Sequence, residues 1–400
     1  MSGLSEREEQ QLEQQHMMRV CNSFAQYAFF QQALRKSLRK RLDGLPDSSK
    51  KFLPEGLISS SADAIGREKD SREAEARNQH FLDQILSHIP QPTSTDHAVY
   101  KQQANYAYES NDDISKVQSV LKSCVRDWTA EGAEERAQCY DPVIAGTQKW
   151  VEPGGKVLVP GSGLGRLALE LASRGYAVQG NDFSIHMLMA SDFILNACGT
   201  GEHDSFEISP YLGTTLNSNR VSDAARKFVV PDVDPKELLF GSTSGDQQGP
   251  DFSMAAGEFL DCYNKPEEKG LWSCVASCFF LDTAPDIVAY FTCIWNMLKP
   301  GGSLINLGPL LFHWSGPNMR PDETKIGQYS RLRDNRYLES VDFCWEDVRE
   351  ILIKVGFKIE DEQTGLDCTY TRDSESFMYT SYKCVYFVAV KPKADVEGEK

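Results

Sequence analysis

The run Lys156-Val157-Leu158-Val159-Pro160-Gly161-Ser162-Gly163-Leu164-Gly165-Arg166-Leu167 constrains this chain more than any other stretch. It begins as a short β-rich segment, passes through glycines at alternate positions, and continues into the helical string Leu167-Ala168-Leu169-Glu170-Leu171-Ala172. That order predicts a buried strand, a tight turn and a helix start. Turn glycines let a backbone pass close to a ligand, and the helix start leaves N–H groups aimed at it. The turn therefore reads as a nucleotide-type cradle. A dinucleotide fingerprint is G-x-G-x-x-G, whereas Gly161, Gly163 and Gly165 give G-x-G-x-G and Arg166 stands where the third glycine belongs. The spacing disfavours NAD.

Roughly 20 residues on, a second strand, Ala177-Val178-Gln179-Gly180-Asn181-Asp182, ends on a carboxylate suited to the two hydroxyls of a ribose. Further along, a helix-like run closes on Lys299-Pro300-Gly301-Gly302 and opens a strand, Ser303-Leu304-Ile305-Asn306-Leu307. Taken in this order, the three pieces resemble the S-adenosylmethionine-dependent methyltransferases of the Rossmann-like class. The resemblance implies an α/β fold with a mostly parallel sheet and an antiparallel final strand, preceded here by an N-terminal helical region. It also implies S-adenosyl-L-methionine as the methyl donor.

Composition narrows the acceptor. The net charge of −16 excludes a general nucleic-acid binder, which needs a basic face to neutralise phosphates. A small-molecule substrate fits the balance better. Eleven cysteines lie without metal-type pairing; the nearest spacing, Cys274 to Cys278, sits in an apolar run and reads as core. The odd count and the lack of a signal-like N-terminus point to reduced thiols in the cytoplasm or nucleus. No apolar run approaches the roughly 18 residues of a membrane span, so no membrane partner is expected.

Along the chain, residues 1–130 read as an N-terminal helical region, 131–391 as the methyltransferase domain, and 392–400 as a flexible tail. Residues 5–20 favour helix, followed by apolar positions at helical spacing from Val20 to Leu34. A basic cluster, Arg35, Lys36, Arg39, Lys40 and Arg41, reads as a solvated helix end. Residues 43–75 read as a loop, and helices return at Asn78–His88 and Asp113–Trp128. These helices could cover the active site or supply a homodimer surface, and periodicity does not choose. Ser184 is placed to cap the next helix. Residues 199–250 form an insertion with little regular pattern, and 241–249 is its loop. Trp272 to Phe280 is a near-continuous apolar run, expected as a central parallel strand with Asp282 at its carboxyl end. The basic segment 315–340 is a candidate lid.

Several longer strings narrow the resemblance to the carnosine N-methyltransferase family. They are Arg126-Asp127-Trp128, Val159 to Leu167, Gly180-Asn181-Asp182-Phe183-Ser184, Pro231-Asp232-Val233-Asp234-Pro235, Cys278 to Ala284, and Asn306 to His313. The similarity runs from about residue 18 to residue 391 and implies that part of the insertion's middle, Asn219 to Pro235, is ordered. It implies a cofactor site in which Gly161, Gly163 and Gly165 approach the methionine part and Asp182 takes the ribose. Glu258 and Phe259 would flank the adenine, and Cys278 would approach it through its backbone. It also implies that Arg126 pairs with the methionine carboxylate, while Ser123 stands where relatives carry glutamine. On the acceptor side the resemblance implies carnosine, methylated on an imidazole nitrogen to anserine. Asp282 and His313 are the expected catalytic residues, and Tyr370 and Tyr382 are expected to line the dipeptide site with them. No metal is required, because the transferred methyl arrives already activated.

Overall fold

The computed structural model describes residues 6–57, 61–89, 111–212, 216–241, 250–315 and 340–393. The candidate lid at 316–339, the loop at 242–249 and the tail from 394 lie outside them.

Seven strands form one sheet in the order β5-β2-β1-β6-β7-β9-β8. They are β1 (Lys156–Pro160), β2 (Ala177–Asp182), β5 (Phe252–Ala256), β6 (Trp272–Cys278), β7 (Leu298–Gly308), β8 (Lys358–Tyr370) and β9 (Thr380–Val390). Strands β5, β2, β1, β6 and β7 run parallel, and β9 inserts antiparallel between β7 and β8. The expected mostly parallel sheet with an antiparallel final strand is what forms. Its apolar residues divide by the period of two that a pleated strand imposes. Val157, Val159, Cys274, Ala276, Ile305 and Leu307 bury on one face; Leu158, Val275 and Leu304 bury on the other. Burial on both faces is why β6 reads as an unbroken apolar run.

The helices are α1 (Glu6–Ala25), α2 (Tyr27–Asp43), α3 (Asp47–Lys50), α4 (Ala62–His88), α5 (Asn111–Trp128) and α6 (Ala133–Trp150). After β1 come α7 (Arg166–Ala172), α8 (Ile185–Ala197), α9 (Pro235–Phe240), α10 (Phe259–Tyr263), α11 (Ile287–Met297) and α12 (Trp345–Val355). Helices α10, α11 and α12 cover one face of the sheet, and α6 and α7 cover the other. Helices α1, α4 and α5 share a third cluster with α8, centred on Phe24, Phe81, Leu121, Trp128 and Phe193. The N-terminal region is thus fused to the sheet domain through one apolar core.

Two expectations require correction, the loop at 43–75 and the Ser184 cap. Residues 62–75 are not loop but the first half of α4. That half is held by Ser61, whose Oγ accepts from the Ala64 N–H, and by i,i+4 pairs such as Arg67–Asp63 and Arg72–Glu68. A helix held by charge pairs on exposed turns shows no apolar stripe, so its period is invisible. The insertion carries order in its expected middle and beyond it: β3 (Phe206–Ile208) and β4 (Phe228–Val230) pair antiparallel, and α9 follows. Ser184 occupies the N-cap of α8, but its side chain makes no cap; the Asp182 carboxylate accepts its N–H instead, at 2.8 Å. The basic cluster on α2 is partly spent on packing, with Arg35 on Glu75 at 2.6 Å and Arg39 on the Leu57 carbonyl at 2.8 Å.

Candidate active site

In this sheet β2 and β5 extend from one side of β1, and β6 and β7 from the other. The carboxyl ends of β1 and β6 therefore flank the point where strand order reverses, the place where open α/β sheets bind ligands. A cleft of about 170 Å³ opens there. Its lining includes Ser123, Arg126, Tyr140, Gly161, Gly163, Asp182, Cys278, Phe279 and Tyr370.

The turn after β1 forms one wall. Gly163 has φ of +55°, and a Cβ there would meet nothing nearer than the Arg126 guanidinium at 3.8 Å. It is glycine for its backbone conformation and because it faces open space. Gly161, with φ of +63°, has a second reason to be glycine: a Cβ would lie 2.7 Å from the Phe280 ring, so the close approach is to the protein itself. Gly165 begins α7.

Asp182, at the end of β2, is 8% exposed and spends both oxygens on main chain. It accepts from Gly163 N–H and Ser184 N–H, each at 2.8 Å. Burial pushes its carboxyl up, against the downward pull of these N–H bonds. The same carboxylate thus shapes the glycine turn and borders the cleft.

Arg126 leaves the last turn of α5 and meets Asp127 side-on, Nε to Oδ1 at 2.6 Å and Nη2 to Oδ2 at 2.9 Å. Tyr140 donates to the same Asp127 Oδ1 at 2.6 Å. The guanidinium lies 5.4 Å from the Tyr370 ring centre. Two of its N–H groups are held by Asp127, and its remaining edge is available to an anion in the cleft.

Past the end of β6, beyond the cleft-lining Cys278 and Phe279, Asp282 and His313 come together. Asp282 sits in the turn Leu281–Thr283 after β6, 2% exposed. Its Oδ2 accepts from Leu311 N–H at 3.0 Å and its carbonyl accepts from His313 N–H at 3.1 Å. Trp314 Nε1 donates to the Thr283 carbonyl at 3.0 Å, closing the lacing between the two segments. Burial pushes the Asp282 carboxyl up, while the Leu311 bond and the His313 charge pull it down. Tyr370 and Tyr382 meet across β8 and β9 with ring centres 6.1 Å apart, and Phe279 packs on both, at 5.1 and 5.9 Å. Burial, then Tyr370 and Asp282, push the Tyr382 hydroxyl up. All four expected acceptor residues therefore belong to one neighbourhood.

Two expected adenine contacts are arranged otherwise. Glu258 caps α10, with Oε2 accepting from the Leu260 and Asp261 N–H groups, while Oε1 accepts from the Tyr290 hydroxyl. The Phe259 ring is 2% exposed and packs between Tyr263, Phe280 and Tyr290. Both sit two strands from the glycine turn, tied to the end of β2 through Gly257 N–H on the Asp182 carbonyl at 3.0 Å. Cys278 borders the cleft, and burial pushes its thiol up to about 12.

Sequence reasoning missed Phe279, Phe183 and Asp127. Phe279 has φ of +53° and Phe312 of +44°, conformations costly for an aromatic residue. Each stands directly beside an expected residue, Cys278 or His313. Phe183 follows the cleft-lining Asp182 and is 71% exposed, an aromatic left in solvent. Asp127 lay inside the Arg126-Asp127-Trp128 string, but only the fold shows that it grips Arg126.

Among the described residues, no group of three or more His, Cys, Asp or Glu side chains could hold a metal, and no helix is long and apolar enough to cross a membrane. The family model for carnosine N-methyltransferase matches residues 103–393. Carnosine N-methyltransferases of Rattus norvegicus and Mus musculus are each 34% identical over 96% of this chain and 88% of their own length. The Drosophila melanogaster carnosine N-methyltransferase unmet is 36% identical over 70% of this chain and 56% of its own. With its strand-end cleft, its glycine turn and a family match across nearly three quarters of its length, the chain belongs to the carnosine N-methyltransferase family.

Proposed function

We propose that the chain is an S-adenosyl-L-methionine-dependent methyltransferase that places a methyl group on an imidazole nitrogen of carnosine, yielding anserine. The observation that carries the reading is the laced Asp282–His313 pair, which follows the cleft-lining Cys278 and Phe279 in the chain, beside the aromatic group of Phe279, Tyr370 and Tyr382 next to the glycine turn's cleft. The donor's chemistry fits the residues present: an open glycine turn, a strand-end carboxylate and a buried arginine with a free edge.

S-adenosylmethionine supplies a methyl group already activated by its sulfonium. The protein's task is to aim one lone pair at it and keep water away. Arg126 holds the donor's carboxylate and Asp182 its ribose hydroxyls, while Glu258 and Phe259, turned into the protein, do not reach its adenine. A neutral imidazole has one N–H and one lone pair. The Asp282 carboxylate accepts the N–H, which fixes the tautomer and turns the other nitrogen towards the donor. His313 is the second partner, as hydrogen-bond donor or proton acceptor. Methylation leaves the ring cationic, and the N–H proton must then depart. Burial raises the proton affinity of Asp282, which suits it to receive that proton. Phe279 walls the ring site together with the two tyrosines.

Eleven free cysteines fit a reducing compartment, cytoplasm or nucleus. The test is methyl transfer to carnosine beside free histidine, homocarnosine and histidine-containing peptides, with the product nitrogen assigned by NMR. Carnosine as the preferred acceptor is expected; preference for free histidine or for a protein overturns the reading.

A further inference from the structure

Two sequence features have no role in the chemistry above: Arg166, which displaces the third glycine of the dinucleotide pattern, and the Pro231-Asp232-Val233-Asp234-Pro235 string of the insertion. The fold brings them together at the end of α5. A helix leaves its last four carbonyls without partners in the helix itself. Here each is taken. The Val125 carbonyl accepts from Thr129 Oγ1 at 2.8 Å, and that of Arg126 from Arg136 Nη1 at 2.7 Å. The Asp127 carbonyl accepts from Arg166 Nη1 at 2.8 Å, and that of Trp128 from the Asp232 N–H at 2.9 Å.

The two arginines are joined by one carboxylate. Asp232 Oδ2 takes Arg136 at 2.6 Å and Oδ1 takes Arg166 at 2.7 Å, with the Asp232 side chain 10% exposed. Two guanidinium cations so close would repel without the anion between them. Their positive charge also faces the negative end of the α5 dipole. Arg166 lies 5.0 Å from the Trp128 ring centre, and Trp128 Nε1 donates to the Leu164 carbonyl inside the glycine turn at 3.1 Å. The clamp therefore joins the insertion, α6, the glycine turn and the helix end that carries Arg126.

We infer that Asp232 is a positioning residue for the methyl donor: through Arg136 and Arg166 it fixes the last turn of α5, and with it the Arg126–Asp127 fork, against the glycine turn. The inference rests on the reading of Arg126 as partner of the donor's carboxylate. The insertion thereby becomes part of the donor site without touching the donor.

The experiment is calorimetric binding of S-adenosylhomocysteine to wild type, Asp232→Asn, Arg126→Ala and the double variant, with KM for S-adenosylmethionine and carnosine measured alongside. Asp232→Asn is expected to weaken S-adenosylhomocysteine about tenfold and to raise the donor KM in parallel, while the carnosine KM moves less than about twofold. In the Arg126→Ala background the same change is expected to add less than about twofold, because its effect passes through Arg126. Arg136→Lys keeps the charge but loses the fork that spans two carbonyls and a carboxylate. It is expected to act in the same direction, and it decides the matter if Asp232→Asn does not fold. A lowered melting temperature with unchanged S-adenosylhomocysteine affinity overturns the inference, as does full additivity in the double variant. If Arg126→Ala itself binds S-adenosylhomocysteine like wild type, the reading of Arg126 falls instead.

Discussion

On the side of the cleft that we assign to the donor, position is set by main chain and by buried charge. The Asp182 carboxylate is held by two N–H groups, the glycine turn by that carboxylate, and Arg126 by a fork onto Asp127. The proposed acceptor side, beyond Phe279, is built from side chains at strand ends. His313 is exposed, Tyr370 and Tyr382 are partly exposed, and Phe279 and Phe312 carry unfavourable backbone angles beside them. A donor with an invariant shape can be met by a rigid frame whose polar groups are already satisfied. An acceptor ring has to be turned to one tautomer, and that requires side chains with unspent hydrogen-bonding capacity.

The largest effect that would sharpen this contrast is at Asp282. Asp282→Asn keeps an oxygen for the Leu311 N–H but loses the anion that grips the imidazole N–H. We expect kcat/KM for carnosine to fall by about 10²–10³ while S-adenosylhomocysteine binds as in wild type. Unchanged kinetics would remove Asp282 from the chemistry. Burial raises its proton affinity, so in wild type the acid limb of the pH–rate profile should lie above the ordinary carboxylate range, with activity lost as pH falls through it.

Next in size is Asp182→Ala on the donor side. It strands the N–H groups of Gly163 and Ser184, costing about 2 kcal/mol of stability, and should weaken S-adenosylhomocysteine about tenfold or more. Calorimetry beside thermal melting reads both. A loss confined to the carnosine KM would break the division between the two sides.

Tyr370→Phe and Tyr382→Phe should each raise the carnosine KM by about three- to tenfold and leave donor affinity alone. Steady-state kinetics with each substrate varied in turn reads the split. An equal effect on both substrates would show that the tyrosines shape the whole cleft.

The smallest effect lies outside both sides. His186, 2% exposed, places Nε2 3.1 Å from Ser23 Oγ where α1 meets α8. Burial, then the charge of Lys116, push its pKa down to about 4 from 6.5. Between these values the unfolded chain binds more protons than the folded one, so stability is full above about pH 6.5 and declines as pH falls towards 4. His186→Gln should flatten the melting temperature across that window. An unaltered slope would assign the acid sensitivity elsewhere.

Local sequence carries the strand, turn and helix around Gly161–Gly165, because propensity, glycine spacing and apolar alternation all act over a few residues. It also carries β6, whose continuous apolar run reflects burial on both sides. The first half of α4 was illegible, since charge pairs leave no stripe, and the strands of the insertion were illegible because each is three residues long. Asp282 and His313 were named through family strings; their lacing depends on two loops 29 and more residues apart in the chain.

What the sequence determined by itself is thus a parallel sheet with a glycine-turn ligand site and an acceptor class suggested by resemblance. Only the tertiary structure decided that Phe259 faces the core, that Asp127 grips Arg126, and that Asp232 seats between Arg136 and Arg166. These are contacts between residues far apart in the chain or between neighbours whose side chains could turn either way. Their partners are chosen by the fold, because a buried charge must find its counter-ion wherever packing has placed one.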